Sequence, residues 1–399
     1  MKEPIRKITH KDGRSRYRLV VDIGHDAEGK RQQLTRTFDT KKDAVTELSR
    51  IRHQRDAGTY VAPSKMTLGD LLDIWLKSAT RDVEEGTASN YANAILPARV
   101  HLGHKALQEL REEDIEGFID WMVTSGRRRG GKPGSGLGIR AVRLTLGRLR
   151  AALTLAVRRG LVVRNVAEHV TVSREARLKA TALKVSCPPW NEVEVKAFLE
   201  AIKDDRLFAA MMLALIAERP AEVCGARWAE DVDLDDAETI SVGNTRTIVY
   251  DRSLAKGERN KVVEKSTKTE AGKRTLPLPA PVLKALKAFR DLQAKEKAAA
   301  GATYEDSGYV LVDELGRPWK TDKLRREAYR LMKQAGVRKV RLYDARHACL
   351  SWMANNGVPD TVVSAWAGHS DLSFTKRFYV HPDPQSLKAG SEKLVELLG

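Results

Sequence analysis

The stretch Ala217–Trp228, "AERPAEVCGARW", decides how the rest of the chain is read. Pro220 suits the first position of a helix, and Glu222 suits its first turn. Arg219 then stands at a helix entrance, where backbone donors already face outward. Arginine at a helix start is common on any surface, so the stretch gains meaning only from its neighbours. Immediately before it, "LFAAMMLALIA" is apolar on all sides, which predicts a buried helix. After it, "TISVG", "TRTIVY" and "KRTLPLP" read as strands of a small antiparallel sheet. Helical patterns close the chain in "PVLKALKAFRDLQAKEKAAA", "TDKLRREAYRLMKQAG", "YDARHACLSWMANNG" and "PDTVVSAWAG". With Asn191 capping "EVEVKAFLEAIKD", residues 187–399 read as an α+β domain.

Two further domains are expected upstream, because 399 residues exceed one ordinary core. Residues 65–175 carry mostly helical spacing. One long helix, "IRAVRLTLGRLRAALTLAVRRG", has Val142, Leu146, Leu149, Leu153 and Val157 as its core stripe. Arg140 and Arg143 fall on a neighbouring face. The glycine-rich loop Gly126–Gly138 before it should be mobile, and Thr171–Pro189 reads as a linker. Residues 1–60 alternate as strands at Arg16–Ile23 and Arg31–Phe38, and then turn helical from an N-cap at Thr40 to a stop at Gly58. The chain is therefore multidomain: a small N-terminal β-sheet plus helix, an all-α middle and an α+β C-terminal domain.

Charge points to the partner. Lys plus Arg number 70 against 53 acids, a net +17, which favours a polyanion and nucleic acid first. Between Trp121 and Ala167 there is no Asp or Glu, while eleven Arg and Lys residues crowd the same window. A solvated surface normally mixes signs, so this window reads as phosphate-contacting. Candidate DNA contacts are Arg127, Arg128, Arg129, Lys132, Arg140 and Arg143 there, with Arg14, Arg16, Arg18 and Arg36 in the N-terminal domain. No apolar run is long enough to span a membrane, and the first residues lack the apolar core of a signal peptide. Cys187, Cys224 and Cys349 suggest neither a disulfide framework nor a metal knuckle, so a cytoplasmic setting is expected.

Three more fragments complete a pattern. "STKTEAGKRTLPLP" sets Lys268 before a turn and a strand. "RLYDARHACLSW" puts Tyr343 and Arg346 three apart on one helical face. "AGHSDLSFTKRFYVHP" places His369 ahead of Tyr379. With Arg219 these fragments, in this order, resemble the tyrosine recombinase family, the phage integrases. That family carries an Arg in an R-P-x-E helix start, a Lys on a β-hairpin, a His-x-x-Arg pair, a Gly-His histidine, and a tyrosine nine or ten residues later. The matching positions here are Arg219, Lys268, Tyr343 with Arg346, His369 and Tyr379. The layout is similar too: an arm-type DNA-binding domain at 1–60, a core-binding domain at 65–175 and a catalytic domain at 187–399. Two positions depart from the pattern. Tyr343 stands where the family most often has histidine, and Val166 stands where it commonly has proline.

The resemblance implies a site-specific DNA recombinase of phage or mobile-element type that integrates and excises DNA. Arg219 and Arg346 would clamp the scissile phosphate through planar, bidentate donors. His369 would add a donor, and Tyr379 would attack phosphorus to form a 3′-phosphotyrosine. Lys268 would protonate the leaving 5′-oxygen. A phenol has an ordinary pKa of about 10, so Tyr343 suits hydrogen-bond donation better than proton abstraction.

No cofactor or metal is needed by this scheme. The one acidic run, Glu230–Glu238, reads as a solvated turn. Implied partners are double-stranded DNA at attachment sites, three further copies of the chain in a homotetramer on DNA, and host DNA-bending and excision accessory proteins. The tail "PQSLKAGSEKLVELLG" reads as a short amphipathic helix that would dock on a neighbouring copy. Two other readings are a type IB-like topoisomerase, against which the arm-like domain argues, and a non-catalytic DNA-binding regulator of the same fold. A regulator would tolerate loss of catalytic residues, and only position 343 departs.

Overall fold

The computed structural model describes residues 3–9, 15–25, 31–128, 131–182, 188–216, 218–250, 258–266 and 273–369. The chain divides into two compact units, Met1–Val185 and Ser186–Gly399.

The first unit begins with an antiparallel sheet of β1 (Ile5–Thr9), β2 (Ser15–His25) and β3 (Arg31–Phe38), in that order. Helix α1 (Lys41–Asp56) starts where the Thr40 hydroxyl accepts from the Asp43 N–H. Its Leu48 and Ile51 pack on Leu19 and Val21 of β2. Strand β1 was not expected. Its only apolar residues, Ile5 and Ile8, are three apart and show no alternation. Its pairing with β2, Ile5 opposite Leu19 through Thr9 opposite Ser15, is what makes it a strand.

The helical part comprises α2 (Leu68–Ala79), α3 (Glu85–Leu102), α4 (Glu112–Thr124), α5 (Ile139–Arg158) and α6 (Arg174–Ala182). Thr67 and Asp70 form a reciprocal capping box at the start of α2. The stripe of α5 is buried at Val142, Leu146, Leu149 and Leu153, while Ala156 rather than Val157 closes it. Helix α6 corrects the reading of Thr171–Pro189 as a linker. Its small Ala176 and Ala180 are buried in the same core as Phe118 and Leu149. Alanine gives a weak apolar signal, so the helix hid in a basic, polar stretch.

The second unit opens with α7 (Glu192–Ala201), capped reciprocally by Asn191 and Glu194. Then come α8 (Phe208–Leu215), α9 (Pro220–Val223) and α10 (Trp228–Asp231). Every side chain of α8 from Ala209 to Leu215 is buried, as its all-round apolarity requires. The strands are β4 (Val232–Asp233), β5 (Thr239–Val242), β6 (Asn244–Tyr250), β7 (Asn260–Ser266) and β8 (Arg274–Pro277). They form two sheets, not one: β4-β5-β8, and the separate pair β6-β7. Gly225, just past α9, allows β6 to come close. A Cβ there would meet Thr245 Cα at 2.8 Å and Arg246 N at 2.9 Å. The unit ends in α11 (Ala280–Ala300), α12 (Thr321–Gln334), α13 (Leu342–Asn355) and α14 (Asp360–Ala367).

Candidate active site and nucleic-acid surfaces

Arg219 is the residue before α9, with an extended backbone (φ −74°, ψ 148°) and Pro220 behind it. Its N–H donates to Glu222 Oε2 at 2.8 Å, and its Nη1 donates to Glu222 Oε1 at 2.5 Å. One carboxylate thus fixes both the backbone and the guanidinium of Arg219. Glu222 also accepts from Arg274 Nη2 on β8 at 2.9 Å. Burial works to raise Glu222, but Arg274 and Arg219 hold it below the usual carboxylate range.

Arg346, on α13, is completely buried. Its Nη2 donates to the Ala367 carbonyl at the end of α14 and lies 3.5 Å from His369 Nε2. Arg219 Nη2 reaches the same carbonyl at 3.5 Å. Helix α14 ends in a left-handed Gly368 (φ 63°, ψ 45°). The His369 N–H then bonds Ser364 O, and the Gly368 N–H bonds Ala365 O. These are the two bonds of a Schellman end, and glycine makes the left-handed turn without strain. That turn leaves the His369 ring against Arg346.

Burial, with Arg219 nearby, pushes Arg346 down to about 10, so it stays charged at neutral pH. Burial and the arginines push His369 down to about 4, so its ring is neutral and carries one N–H. For Arg219, burial acts to lower the pKa, but Glu222 outweighs it and Tyr343 adds to the rise. Tyr343 sits one turn before Arg346, partly exposed, with its ring edge-on to His347 at 5.0 Å. The structure therefore gathers Arg219, Tyr343, Arg346 and His369 from three helices. Lys268 and Tyr379 lie outside the described residues, as does the tail from Pro384.

Sequence reasoning passed over Arg274, Glu222 as a ligand of the arginines, and Glu218. Arg274 looked like one more basic residue in "GKRTLPLP", and nothing local marks it as buried. Glu218, 1% exposed, is an acid beside Arg219 whose burial only the fold reveals. The acidic run Glu230–Glu238 is engaged by protein groups: Asp233 accepts from the N–H groups of Asp235 and Asp236, and Asp235 meets Arg290. Among the described residues, no group of three or more His, Cys, Asp or Glu is placed to hold a metal ion.

The basic window of the middle helices divides in two. Arg128, Lys132, Arg140 and Arg143 are exposed. Arg127 is tied down: its Nε donates to Gly136 O, and its backbone pairs with Ser135 and Gly134. The described ends of the loop expected to be mobile are thereby joined. Arg148 covers the Tyr91 ring at 4.0 Å, and Arg150 donates to the carbonyls of Ala167 and Val170. Arg129 and Arg14 lie outside the described residues.

On the N-terminal sheet, Arg18 stands opposite Arg6, and Arg16 shares their face, away from α1. Arg36 is opposite Leu19, on the helix side, and pairs with Glu47 at 2.7 Å. Among the described residues, no helix is long and apolar enough to cross a membrane.

A helix-start arginine and a buried helical arginine sharing one carbonyl, in a chain that begins with a small arginine-bearing sheet, fit a DNA strand-transfer enzyme of the integrase type. Residues 191–386 match the phage integrase family, and residues 4–54 match an arm DNA-binding domain. The chain is 27% identical over 403 residues to a tyrosine recombinase XerC-like protein of Caldanaerobacter subterraneus subsp. tengcongensis, with 97% of each chain covered. It is 25% identical to an integrase of Streptomyces ambofaciens, over 92% of this chain and 89% of that one. Its fold is similar to the Tn1549 transposon integrase in complex with transposon right end DNA (TM-score 0.64, 19% identity, 83% of this chain and 100% of that one). It is also similar to a lambda integrase dimer bound to a COC′ core site (TM-score 0.56, 16% identity, 96% of this chain and 98% of that one). The chain belongs to the phage integrase family of tyrosine recombinases, with an N-terminal arm DNA-binding domain. It is a site-specific recombinase that binds DNA, cleaves it and rejoins it.

Proposed function

We propose that the chain integrates and excises a phage or mobile element at attachment sites by way of a 3′-phosphotyrosine on Tyr379. The observation that carries this reading is the shared Ala367 carbonyl, which brings Arg219 and Arg346 to one point. Arg219 and Arg274 both bond the carboxylate of Glu222, and Arg346 lies in the same cluster, so a phosphodiester would meet several cations there. In this scheme Arg219 and Arg346 hold the non-bridging oxygens and stabilise the charge that gathers in the transition state. His369 and Tyr343 donate further hydrogen bonds. Tyr379 attacks phosphorus, and Lys268 gives its proton to the 5′-oxygen that leaves. The step reverses when a 5′-hydroxyl of another duplex attacks the phosphotyrosine.

Residues 1–60 serve as the arm-type DNA-binding domain, with Arg16 and Arg18 on its open face. Residues 65–175 serve as the core-binding domain, with Arg128, Lys132, Arg140 and Arg143 as phosphate contacts, and residues 187–399 as the catalytic domain. Four copies act together on two duplexes in the bacterial cytoplasm, assisted by host DNA-bending and excision proteins. A lambda integrase tetramer bound to a Holliday junction has a similar fold, with a TM-score of 0.56, which supports the expectation of four copies. The test is a denaturing gel with a nicked attachment-site duplex. The parent should leave a covalent adduct, and Tyr379→Phe should bind the duplex without one. An adduct that persists in Tyr379→Phe would assign the nucleophile elsewhere.

A further inference from the structure

Glu218 joins α8 to α9 and is enclosed on all sides. Its N–H bonds Leu213 O at 3.2 Å. Among the described residues, neither of its carboxylate oxygens has a hydrogen-bond partner. An ionised carboxylate is rarely left this way, because burial without donors strongly disfavours its charge. Four charged groups bear on it: Glu222 of α9, Asp231 of α10, Arg274 of β8 and Arg346 of α13. Helix α8 offers it only apolar side chains. Burial is the largest influence, the two acids add to it and the two arginines oppose it, and together they push Glu218 up to about 8.

We propose that Glu218 is a positioning residue that acts through the arginine clamp. As the neutral acid it leaves Arg346 and Arg274 to the phosphate, and when ionised it draws them to itself. The inference rests on the reading of Arg219 and Arg346 as that clamp. An ionised Glu218 would add a negative charge beside Arg274 and Arg346 and so weaken the pull of the cluster on a phosphate. A bound phosphodiester adds one more negative charge near Glu218 and favours its protonated form further. By linkage, DNA engagement then takes up a proton.

The experiment is the pH profile of adduct formation on a nicked duplex, each protein normalised to its own rate at pH 7. One proton lost near pH 8 should lower the parent rate about tenfold by pH 9. Glu218→Gln, which cannot ionise, should stay within about twofold across that range. A Glu218→Gln profile that falls in parallel with the parent overturns the proposal. Should the variant not fold, calorimetry of Tyr379→Phe with duplex, in buffers of different ionisation enthalpy, gives the same answer. Uptake of about half a proton per site at pH 8, vanishing at pH 6, supports the proposal, and no uptake at pH 8 overturns it. Arg346→Lys separates the two readings. Parental cleavage by Arg346→Lys sinks the clamp itself. Lost cleavage with parallel pH profiles sinks only the role of Glu218.

Discussion

Glu222 and Arg274 are joined by an ion pair of 2.9 Å in which both side chains are more than nine-tenths buried. The same carboxylate orients Arg219, so arginines from two different elements share one anion.

Arg274→Met should therefore destabilise the second unit strongly. Removing one partner of a buried pair costs about 3–5 kcal/mol when the other is left bare, and because Arg219 still meets Glu222 the loss should lie at the low end. Urea denaturation measures this directly. The double variant Arg274→Met with Glu222→Gln should recover only part of the loss, since the buried carboxylate charge is gone but Arg219 has lost its partner. If Arg274→Met is as stable as the parent, the pair is not holding β8 to α9.

Tyr343→Phe should slow cleavage while leaving site affinity little changed. A lost donor at a well-formed oxyanion site costs about 2.7–4 kcal/mol, or roughly 10²–10³ in rate, and a partly exposed donor such as Tyr343 should cost less. Tyr343→His should restore much of the rate from the same helical face. Single-turnover cleavage of a nicked duplex decides the matter. Equal rates for Phe and the parent would leave Tyr343 as packing against His347.

Glu218 should give folding a pH dependence of unusual sign. Its proton is held in the folded chain up to about pH 8, whereas an unfolded glutamate releases it near its ordinary 4.5. Between those values the folded state binds more protons, so stability falls as pH rises, by up to about 1.4 kcal/mol per pH unit. His369 works the opposite way below about pH 6.5, because its folded value of about 4 means that acid favours the unfolded chain. Urea midpoints of the parent and Glu218→Gln at pH 6.8 and 7.8 isolate the first effect. The parent should lose more stability over that step, and equal losses would mean that Glu218 is ionised throughout.

Deleting residues 384–399 should spare binding to a single site and abolish assembly of four copies on DNA. Sedimentation of the truncated chain with duplex measures this. Tetramers that survive the deletion would show that the connection between copies lies elsewhere.

Much of the fold was legible because it is written locally. The caps at Thr40, Thr67 and Asn191 and the apolar stripe of α5 are short-range signals, and the structure repeats them. What escaped depends on distant partners. Strand β1 exists through its register with β2, and the separation of β6-β7 from β5-β8 is a choice among pairings that "TRTIVY" cannot make alone. The convergence of Arg219, Arg346 and His369 followed from an ordered set of motifs rather than from any one of them. Arg274 and Glu218 were silent because a buried charge looks the same in sequence as an exposed one.

Gly225 carries a consequence for how the second unit can vary. With no side chain between them, the end of α9 and the strand β6 meet backbone to backbone. The foot of the β6-β7 pair is thus bolted to the same short helix that presents Arg219. Arg246 of β6 adds a second fixing through the carbonyl of Trp319 at 2.6 Å. A ribbon anchored so firmly at its foot holds β6 and β7 in register from Asn244 opposite Ser266 onward. A single methyl group at position 225 would push the ribbon off its seat, because the atoms it meets are backbone.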